Sequence, residues 1–570
     1  MDFVLWALAV VWPLSAVVLL LAVNGKKGHV SLAFLALAIV GGPLAAFAVS
    51  RIPFRCRRCD IDMDARDGRH ACPKCGDATT DGTLGERVLN IFELDETPVL
   101  SFWAKFTYAF GQVAVSLSPA LISSWLIYFY IGRKDASGND ILLVSAAAMS
   151  VGGLVPRLLE AVAEPMVGYL SDKWHFRMGR RIPWVVFGTP FLAIFSILIF
   201  FPPDGAGEGA SLVSALGVDV TPNFLFLLAT HTGFWVMYTA VVAPYLSLLP
   251  EITPLNNERI QASNYMAFGD VAGSVLGTAG VGMMIGALAG GITLGPIHLS
   301  NAYEAIGVIL GVVFTLMFYI SVWKVRERPH DASKAVKFKF TQAFVETFRN
   351  PTFTPYVIAS AAIRMATDIL LAGMPFIVTR LMNLDEEYAG YLQGVLILGA
   401  MLFFPLVASK AVKYGKKTVY LFGMGVFALD LLLMALLKHF PFLGYPVAFV
   451  AGLLGSPLDP NQIAFAHTVI TLAIGALPVA VIFVMQRPIL NDVMDHDEKL
   501  TGYRREAMYN GMEGLVSKPA SGLAYFIVPL LLTTLGDSAE HPWGVLATPL
   551  VASVLLFLGY LGFRSYPLDK

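Results

Sequence analysis

The sequence has 570 residues, of which 56% are hydrophobic and only 14% are charged, against ~25% charged residues in a typical soluble domain. Its formal net charge is −1 and its mean hydropathy is +0.66, values that exclude a large soluble domain and a basic nucleic-acid binder. We expect an all-α integral membrane protein that crosses the bilayer repeatedly, because apolar stretches of about 20 residues span it as helices.

The N-terminal region combines two apolar stretches with a cluster of cysteines. The stretches near residues 3–23 and 30–49 predict a transmembrane hairpin over residues 1–50. A module and linker over residues 51–100 follow, with two C-x-x-C pairs separated by twelve residues. This spacing is typical of a tetrahedral thiolate site, usually for zinc. We predict a zinc-ribbon-like module in which zinc stabilises the fold. Redox or metal sensing is the alternative role, and iron in a rubredoxin-like site is an alternative to zinc that the short spacing favours less. The module could also bind a cytoplasmic partner. The predicted ligands are Cys56, Cys59, Cys72 and Cys75.

Twelve further apolar stretches form the main body, numbered here as spans 1 to 12. The longest polar interruption falls after span 6, so the body divides into residues 101–325, a central loop over 326–352, and residues 353–570. Two six-helix halves around a midplane site are a recurrent plan of membrane transporters. The twelve stretches lie near residues 106–131, 141–169, 183–202, 222–249, 262–290, 303–323, 353–379, 388–409, 418–437, 464–487, 507–534 and 544–563.

The loops richest in Lys and Arg follow spans 2, 6, 8 and 10, and all fall on one side of the membrane in this topology. The positive-inside rule predicts that this side is cytoplasmic, together with the N-terminus and the cysteine module. We expect a cell membrane location, specifically a bacterial inner membrane.

Two acidic residues in span 2 are the strongest functional signal within the membrane. Glu160 and Glu164 lie four residues apart on one helix face, where like charges repel and each carboxylate is costly in hydrocarbon. They can share a proton, bind a cation or pair with a basic residue, for which Arg157 and Lys518 are candidates. We interpret them as a cation-coupling or proton-coupling site. The alternative is a structural ion-pair network between the halves.

The loop after span 2 carries a compact charged pattern. It is predicted to lock against neighbouring helix ends and to release as the halves rock. The alternative is that its basic residues only fix the topology. The residues of this predicted gating loop are Asp172, Arg177, Gly179, Arg180 and Arg181.

Other polar residues within the spans give weaker signals. Arg364 and Asp368 lie four residues apart in span 7 and can pair. Asp270 in span 5 either points into a cavity or bonds a neighbouring helix. His231 is expected to be a buried histidine with satisfied nitrogens, and Asp430 has no evident partner in the sequence.

Three separated stretches share their order and spacing with a known family. They are Glu164-Pro…Ser171-Asp172…Gly179-Arg180-Arg181…Pro183, Ala243-Pro244-Tyr245…Pro250-Glu251…Glu258-Arg259, and Asp492…Thr501-Gly502…Arg504-Arg505-Glu506…Lys518. Through them, residues 105–564 resemble the glycoside–pentoside–hexuronide:cation symporter family. This family belongs to the major facilitator superfamily and lies near the plant sucrose carriers and the sodium-dependent lysolipid transporters. The resemblance implies a major facilitator fold of two six-helix halves. The N-terminal hairpin and cysteine module lie outside the pattern.

The resemblance also implies roles for particular residues. The family's cation site falls on Glu160, Glu164 and Thr239, with Lys518 and Arg157 beside it. Ala163 stands where an asparagine is associated with sodium use, which favours protons over sodium as the coupling cation.

The family's sugar ligands are mostly absent, because their positions hold Ser116, Val242 and Ala267 here. Loss of those polar groups would remove the hydrogen bonds that select a galactoside, so we expect a different substrate. The substrate-cavity candidates are Ser116, Tyr238, Asp270, Arg364 and Asp368.

These features together predict a secondary active transporter that carries a sugar, glycoside or other small organic solute with H⁺, or with Na⁺, by alternating access. A lysolipid or amphiphile carrier of the same fold is one alternative. A membrane sensor or scaffold that uses the cysteine module without transport is another. An enzyme is not expected, since the membrane body contains no phosphate loop, nucleophile elbow or catalytic metal pattern.

Overall fold

The computed structural model describes most of the main body. It covers residues 100–568, with gaps at 135–140, 174–178, 204–212, 216–217, 254–255, 295–296, 300, 324, 326, 328–345, 438–439, 454–455, 503–504 and 539. It also describes the backbone of two short antiparallel strands of two residues each, in which Phe54–Arg55 pairs with Asp62–Met63. The predicted hairpin over 1–50, the four cysteines and most of the central loop lie outside the described residues. The zinc site therefore stays a prediction.

The main body consists of long helices at the twelve predicted positions. Span 5 continues through a π-helical turn, Leu276–Gly280, into Val281–Ala287, and span 7 ends in a second such turn, Ile377–Leu381. The helices of the twelve spans are Phe102–Ile131, Ala146–Lys173, Ile182–Leu198, Pro222–Ile252, Asn256–Val275, Ala302–Trp323, Phe353–Phe376, Glu387–Tyr414, Lys416–Ala435, Pro460–Thr501, Glu506–Leu535 and Trp543–Arg564.

Local sequence signals set where several of these helices begin and end. The Ser101 and Thr221 side chains accept hydrogen bonds from the first turns of spans 1 and 4. Asp459 and Gln462 form a capping box at the start of span 10. Span 10 ends at Gly502, whose φ of +82° is a left-handed conformation that favours glycine.

Eleven of the described helices are long and apolar enough to cross a membrane. Span 3 is the shorter helix, with 17 residues, close to the lower limit of about 17 for a span. It ends at Leu198, before Pro202 and Pro203, so the predicted stretch to residue 202 was too long. Span 10 instead has 42 residues and extends well past the predicted end near 487.

The remaining short elements connect spans. A short exposed helix, Tyr445–Leu453, corresponds to the apolar run that was too short to cross. Two further hairpins pair Val213–Ala215 with Val218–Val220, and Ile292–Leu294 with Ile297–Leu299.

Within the N-terminal half, formed by spans 1 to 6, the tightest seam joins spans 1 and 5. A Cβ added at Gly273 would lie only 2.2 Å from the carbonyl oxygen of Val113, and one at Gly277 would lie 2.5 Å from that of Leu117. Small residues let the two backbones touch, and the same seam carries Asp270 of span 5.

The two halves meet along spans 1 and 7, 2 and 11, and 5 and 8. At one end of the bundle, here called the closed end, Gly282 of span 5 contacts Gly390 of span 8 backbone to backbone. There Arg380 donates a hydrogen bond to the Gly132 carbonyl at 3.2 Å, and the Tyr303 hydroxyl donates one to Glu386 at 3.2 Å. Contacts between the halves run from this end to mid-depth.

The opposite end, here called the charged end, holds ion pairs formed inside each half. In the N-terminal half Arg180 and Arg181 each lie 2.5 Å from Glu251. In the C-terminal half, formed by spans 7 to 12, Lys416 pairs with Asp492 at 2.5 Å. Arg505 pairs there with Asp497 and Glu346.

Candidate functional site

The two span 2 carboxylates lie at mid-depth and face span 11. Glu160 is almost fully buried, with 1% of its side chain exposed, whereas Glu164 is 27% exposed. The four-residue spacing places them one turn apart on one face. They therefore enter the same space between the halves, one shielded and one accessible.

The ammonium group of Lys518 in span 11 lies among three oxygens of the other half. Its Nζ is 2.9 Å from Glu160 Oε1 and 2.9 Å from Glu164 Oε2, and it donates a hydrogen bond to Thr239 Oγ1 at 3.2 Å. Thr239 Oγ1 also lies 3.2 Å from Glu160 Oε1. The structure thus brings together Glu160, Glu164, Thr239 and Lys518 as the resemblance implied.

Arg157 completes the charge balance of this cluster. Its guanidinium bonds Glu160 and stacks over the Trp235 ring, 3.7 Å from the ring centroid. Trp235 donates from Nε1 to His231 Nε2 at 2.7 Å, so His231 carries its proton on Nδ1 and donates it to the Gly152 carbonyl at 2.9 Å. His231 is therefore a buried histidine with both nitrogens bonded, and it orients the ring that holds Arg157.

Gly514 of span 11 packs directly against the Glu164 carboxylate. A Cβ at this position would lie 2.4 Å from Glu164 Oε2. The same oxygen is close to Lys518 but makes no hydrogen bond of good geometry with any described residue, so its contact with the ammonium is an ion pair without a directed bond. Such an oxygen keeps a lone pair for a proton or a metal cation.

The substrate-cavity candidates fall into two groups. In the N-terminal half Asp270 Oδ1 accepts hydrogen bonds from Gln112, at 3.2 Å, and from Ser116, so Asp270 bonds a neighbouring helix. The Tyr238 hydroxyl donates to the Val115 carbonyl at 2.8 Å. Val242, at a position where the resemblance implies a sugar ligand, is buried, with 6% exposed.

In the C-terminal half Arg364 Nε donates to Asp368 Oδ2 at 3.2 Å and to Ser521 Oγ at 3.0 Å. The predicted pairing of Arg364 with Asp368 is therefore present. Tyr238 interacts electrostatically with Glu160, Arg364 and Asp270, so it lies near residues of both groups and near the span 2 carboxylate.

The predicted gating loop packs on the ends of spans 4 and 6. Gly179 has a φ of +105°, and the backbone N–H groups of Arg180 and Arg181 donate to Glu327 at 2.6 and 2.5 Å. Burial raises the pKa of Glu327, and the three backbone N–H groups that reach it oppose this shift. The two arginine side chains pair with Glu251 of span 4, inside their own half. Arg177 and the side chain of Asp172 lie outside the described residues.

Several residues of the site were not predicted from the sequence. Gly514 lies one turn before Lys518, which is a signal that could have marked it. Trp235 lies one turn before Thr239 in the same way. Ser521 lies one turn after Lys518, but serine is common in packed membrane helices, so its presence there is a weak signal.

A further buried acidic residue, separate from the span 2 carboxylates, was also not predicted from the sequence. Glu513, 8% exposed, accepts hydrogen bonds on Oε1 from Tyr356 at 2.8 Å, Ser360 at 3.1 Å and Gln486 at 3.0 Å. These donors are all neutral and come from spans 7 and 10. The cluster belongs entirely to the C-terminal half.

Comparison with known proteins gives a family for the main body. The family model described as "MFS/sugar transport protein" matches residues 107–570. The chain belongs to this family. The MFS/sugar transport proteins are membrane transporters, so the expectation of an integral membrane protein and not an enzyme is confirmed.

Two curated relatives span most of the chain. The sodium-dependent lysophosphatidylcholine symporter 1 of Mus musculus is 23% identical over 503 residues, which covers 83% of this chain and 86% of the relative. The isoprimeverose transporter of Lactiplantibacillus pentosus is 22% identical over 462 residues, covering 80% of this chain and 86% of the relative. The chain is thus similar to both a lipid symporter and a sugar transporter.

Solved structures show the same fold. A bacterial homologue of the human lysosomal transporter Spinster aligns with a TM-score of 0.52 at 14% identity, covering 82% of this chain and 97% of that structure. A mutant form of the nucleoside transporter NupG aligns with a TM-score of 0.51 at 12% identity, covering 81% of this chain and 100% of that structure. The predicted major facilitator fold of the main body is confirmed.

Proposed function

We propose that this transporter is a cation-coupled symporter of a small organic solute, with the proton as the coupling cation. The observation that carries the proposal is the position of Lys518 Nζ, 2.9 Å from oxygens of both Glu160 and Glu164 and 3.2 Å from Thr239 Oγ1. An ammonium group occupies the position that an external cation would take. The lysine and the coupling cation therefore compete for the same oxygens.

The proposed coupling step begins at Glu164, which is the accessible carboxylate of the pair. Protonation of Glu164 removes one of the two negative charges that hold Lys518, and Glu160 retains its bond from Arg157. Lys518 is then freer to leave span 2 as the halves rock. A cation that binds one conformation more tightly shifts the population toward that conformation.

A sodium ion could use the same three oxygens, since carboxylate and hydroxyl oxygens suit hard cations. Ala163 in span 2 favours the proton, because the resemblance associates an asparagine at this position with sodium. The choice between the two ions is therefore part of the proposal, and the uptake experiment includes both.

A lysophospholipid carrier of the same fold is the second candidate. The relative from Mus musculus is named as a lysophosphatidylcholine symporter, and Ala267 supplies an exposed apolar position where the resemblance implies an arginine. The mechanism at Glu160, Glu164 and Lys518 would be the same for either class of solute.

The test is uptake into proteoliposomes that contain the purified full-length protein. A panel of labelled sugars, glycosides and lysophospholipids is offered with an inward proton gradient, with a sodium gradient, or with neither. We expect accumulation of at least one solute that depends on the proton gradient. We also expect Glu164→Gln to abolish accumulation while exchange of solute across the membrane continues.

Glu540→Gln serves as the matched control, because Glu540 is exposed in the loop before span 12. Wild-type accumulation in the Glu164→Gln protein would refute proton coupling at this residue. Accumulation driven by sodium alone would replace the proton with sodium as the coupling cation.

A further inference from the structure

Arg364 is a charged residue at mid-depth in the C-terminal half. Its side chain is more exposed than those of Asp368, Glu513 and Lys518. It lies twelve residues into span 7, Phe353–Leu381, and 45% of its side chain is exposed. Arg157, by contrast, is 4% exposed and is covered by Glu160 and Trp235. A guanidinium in the middle of a membrane protein requires water, a counter-ion or a ligand.

The surroundings of Arg364 place it in the space between the halves and not against lipid. Its Nε bonds Ser521 of span 11 at 3.0 Å. It also interacts electrostatically with Tyr238 of span 4 and Glu160 of span 2. Residues of three other spans, two of them in the opposite half, therefore lie near Arg364.

The guanidinium is oriented by its Nε edge. Asp368, 5% exposed, accepts from Nε at 3.2 Å, and Ser521 accepts from the same atom. The hydrogen bonds that Arg364 makes with described residues use Nε alone. The terminal Nη1 and Nη2 groups, which form a two-pronged donor, remain available on the exposed side. This is the donor arrangement that binds carboxylate and phosphate groups bidentately.

We propose that Arg364 is the anion-binding residue of the solute site, and that the solute carries a carboxylate or phosphate group. This inference rests on the proposed symport function and names the chemical class of its substrate. Asp368 and Ser521 are positioning residues, because they hold the Nε edge and direct the Nη edge into the space between the halves.

The position of Arg364 also links the anion to the coupling cation. Glu160 is an electrostatic neighbour of Arg364, so the net charge of the span 2 cluster acts on an anion that approaches the guanidinium. A cation bound at Glu160 and Glu164 makes that cluster more positive. The cation therefore favours binding of the anionic solute, which is the reciprocal coupling that symport requires.

The test compares pairs of solutes in which one member carries a single anionic group and the other carries none. Binding to the purified full-length protein in nanodiscs is measured by thermal shift and by isothermal titration, at a pH where the protein binds its coupling cation. The pairs are galacturonate with galactose, and lysophosphatidylglycerol with a monoacylglycerol of the same chain length. The first pair represents small acids and the second represents lipids, so the pair that responds identifies the source of the anion.

We expect the anionic member of one pair to bind and its neutral partner to bind much more weakly. Arg364→Gln should weaken binding of that anion by about 10- to 100-fold, the loss typical of a charge-assisted bidentate contact. Arg364→Lys should fall between the two, because an ammonium keeps the charge and loses the two-pronged edge. Arg564→Gln, which removes an exposed arginine at the end of span 12, should bind like wild type.

Ser521→Ala provides a second variant if Arg364→Gln does not fold, since it leaves the charge in place and removes only one orienting bond. A smaller loss of anion affinity is expected for it. Equal binding of charged and neutral members, failure of every anionic probe to bind, or unchanged anion affinity in both the Arg364 and Ser521 variants overturns the inference. Proton-driven uptake of a neutral solute would overturn it and leave the proposed symport intact. Absence of any cation-driven uptake by the wild type would instead remove the symport proposal itself.

Discussion

Gly514→Ala tests the geometry of the coupling site without removing any of its charges. A Cβ at residue 514 would lie 2.4 Å from Glu164 Oε2, whereas ordinary van der Waals contact begins at 3.4 Å. The carboxylate must therefore move by about 1 Å. Because the clash is with the far end of a flexible side chain, the helices can stay in place and the protein should fold.

The size of the effect follows from the ion pair with Lys518. The Glu164 oxygen lies 2.9 Å from the ammonium nitrogen. Moving it to roughly 3.9 Å weakens the attraction by about 1.5 kcal/mol at an effective dielectric constant of about 20. A difference of ~1.4 kcal/mol is a factor of ten in an equilibrium constant. With weaker competition from the lysine, the coupling cation should half-saturate the site at a concentration about tenfold lower.

The assay is thermal unfolding of the purified protein, titrated with protons over a pH series and separately with Na⁺. Ligand binding to the folded state raises its stability by RT ln(1 + [L]/Kd), so each titration yields a dissociation constant for the cation without knowledge of the solute. Gly511→Ala is the matched control, because it lies in the same helix and its added Cβ would have nothing within 4 Å. Identical titrations for the two variants would refute the geometry proposed for Glu164.

Two further predictions concern the closed end and the support of Arg157. Burial raises the pKa of Glu386, so the closed end is more stable when this carboxyl is protonated. That contribution to stability is lost as the pH rises through the raised pKa. Hydrogen exchange of the segment before span 8 should therefore increase with pH in the wild type and less so in Glu386→Gln; an equal increase in both would contradict the reasoning. Trp235→Leu removes the cation–π contact of Arg157 at 3.7 Å, worth about 1–2 kcal/mol when desolvated, and should lower Tm more than Trp323→Leu at an exposed position.

Much of the architecture was predictable because the membrane imposes strong constraints on sequence. The twelve predicted apolar stretches correspond to twelve helices, and the long polar break after span 6 separates the two halves. The length of span 10 was not predictable from hydropathy, because the helix continues through Asp492 and Asp497 beyond its apolar part. The π-helical turns at Leu276–Gly280 and Ile377–Leu381 were also not predicted from hydropathy.

The site was predictable to the extent that its residues share one helix. Glu160 and Glu164 could be predicted as a site because they lie four residues apart in one helix and because a carboxylate within the membrane carries a high free-energy cost. Thr239 came only from the family resemblance, because a threonine in an apolar helix gives no signal of its own. The spacing of Gly514 from Lys518 could have marked its helix face, but spacing within one helix does not report that Gly514 faces Glu164 across the two halves or that Ser521 contacts Arg364.

The cluster formed by Arg157, Glu160, Glu164 and Lys518 contains two positive and two negative groups. With each group ionised, these charges sum to zero, so moving the empty site between the two faces of the membrane transfers no charge from the cluster across the electric field. A bound monovalent cation would make the cluster's net charge +1, and an anion held at Arg364 would cancel it again. The internal lysine thus makes the return of the empty carrier electroneutral, so the membrane potential does no work on the cluster in that half of the cycle.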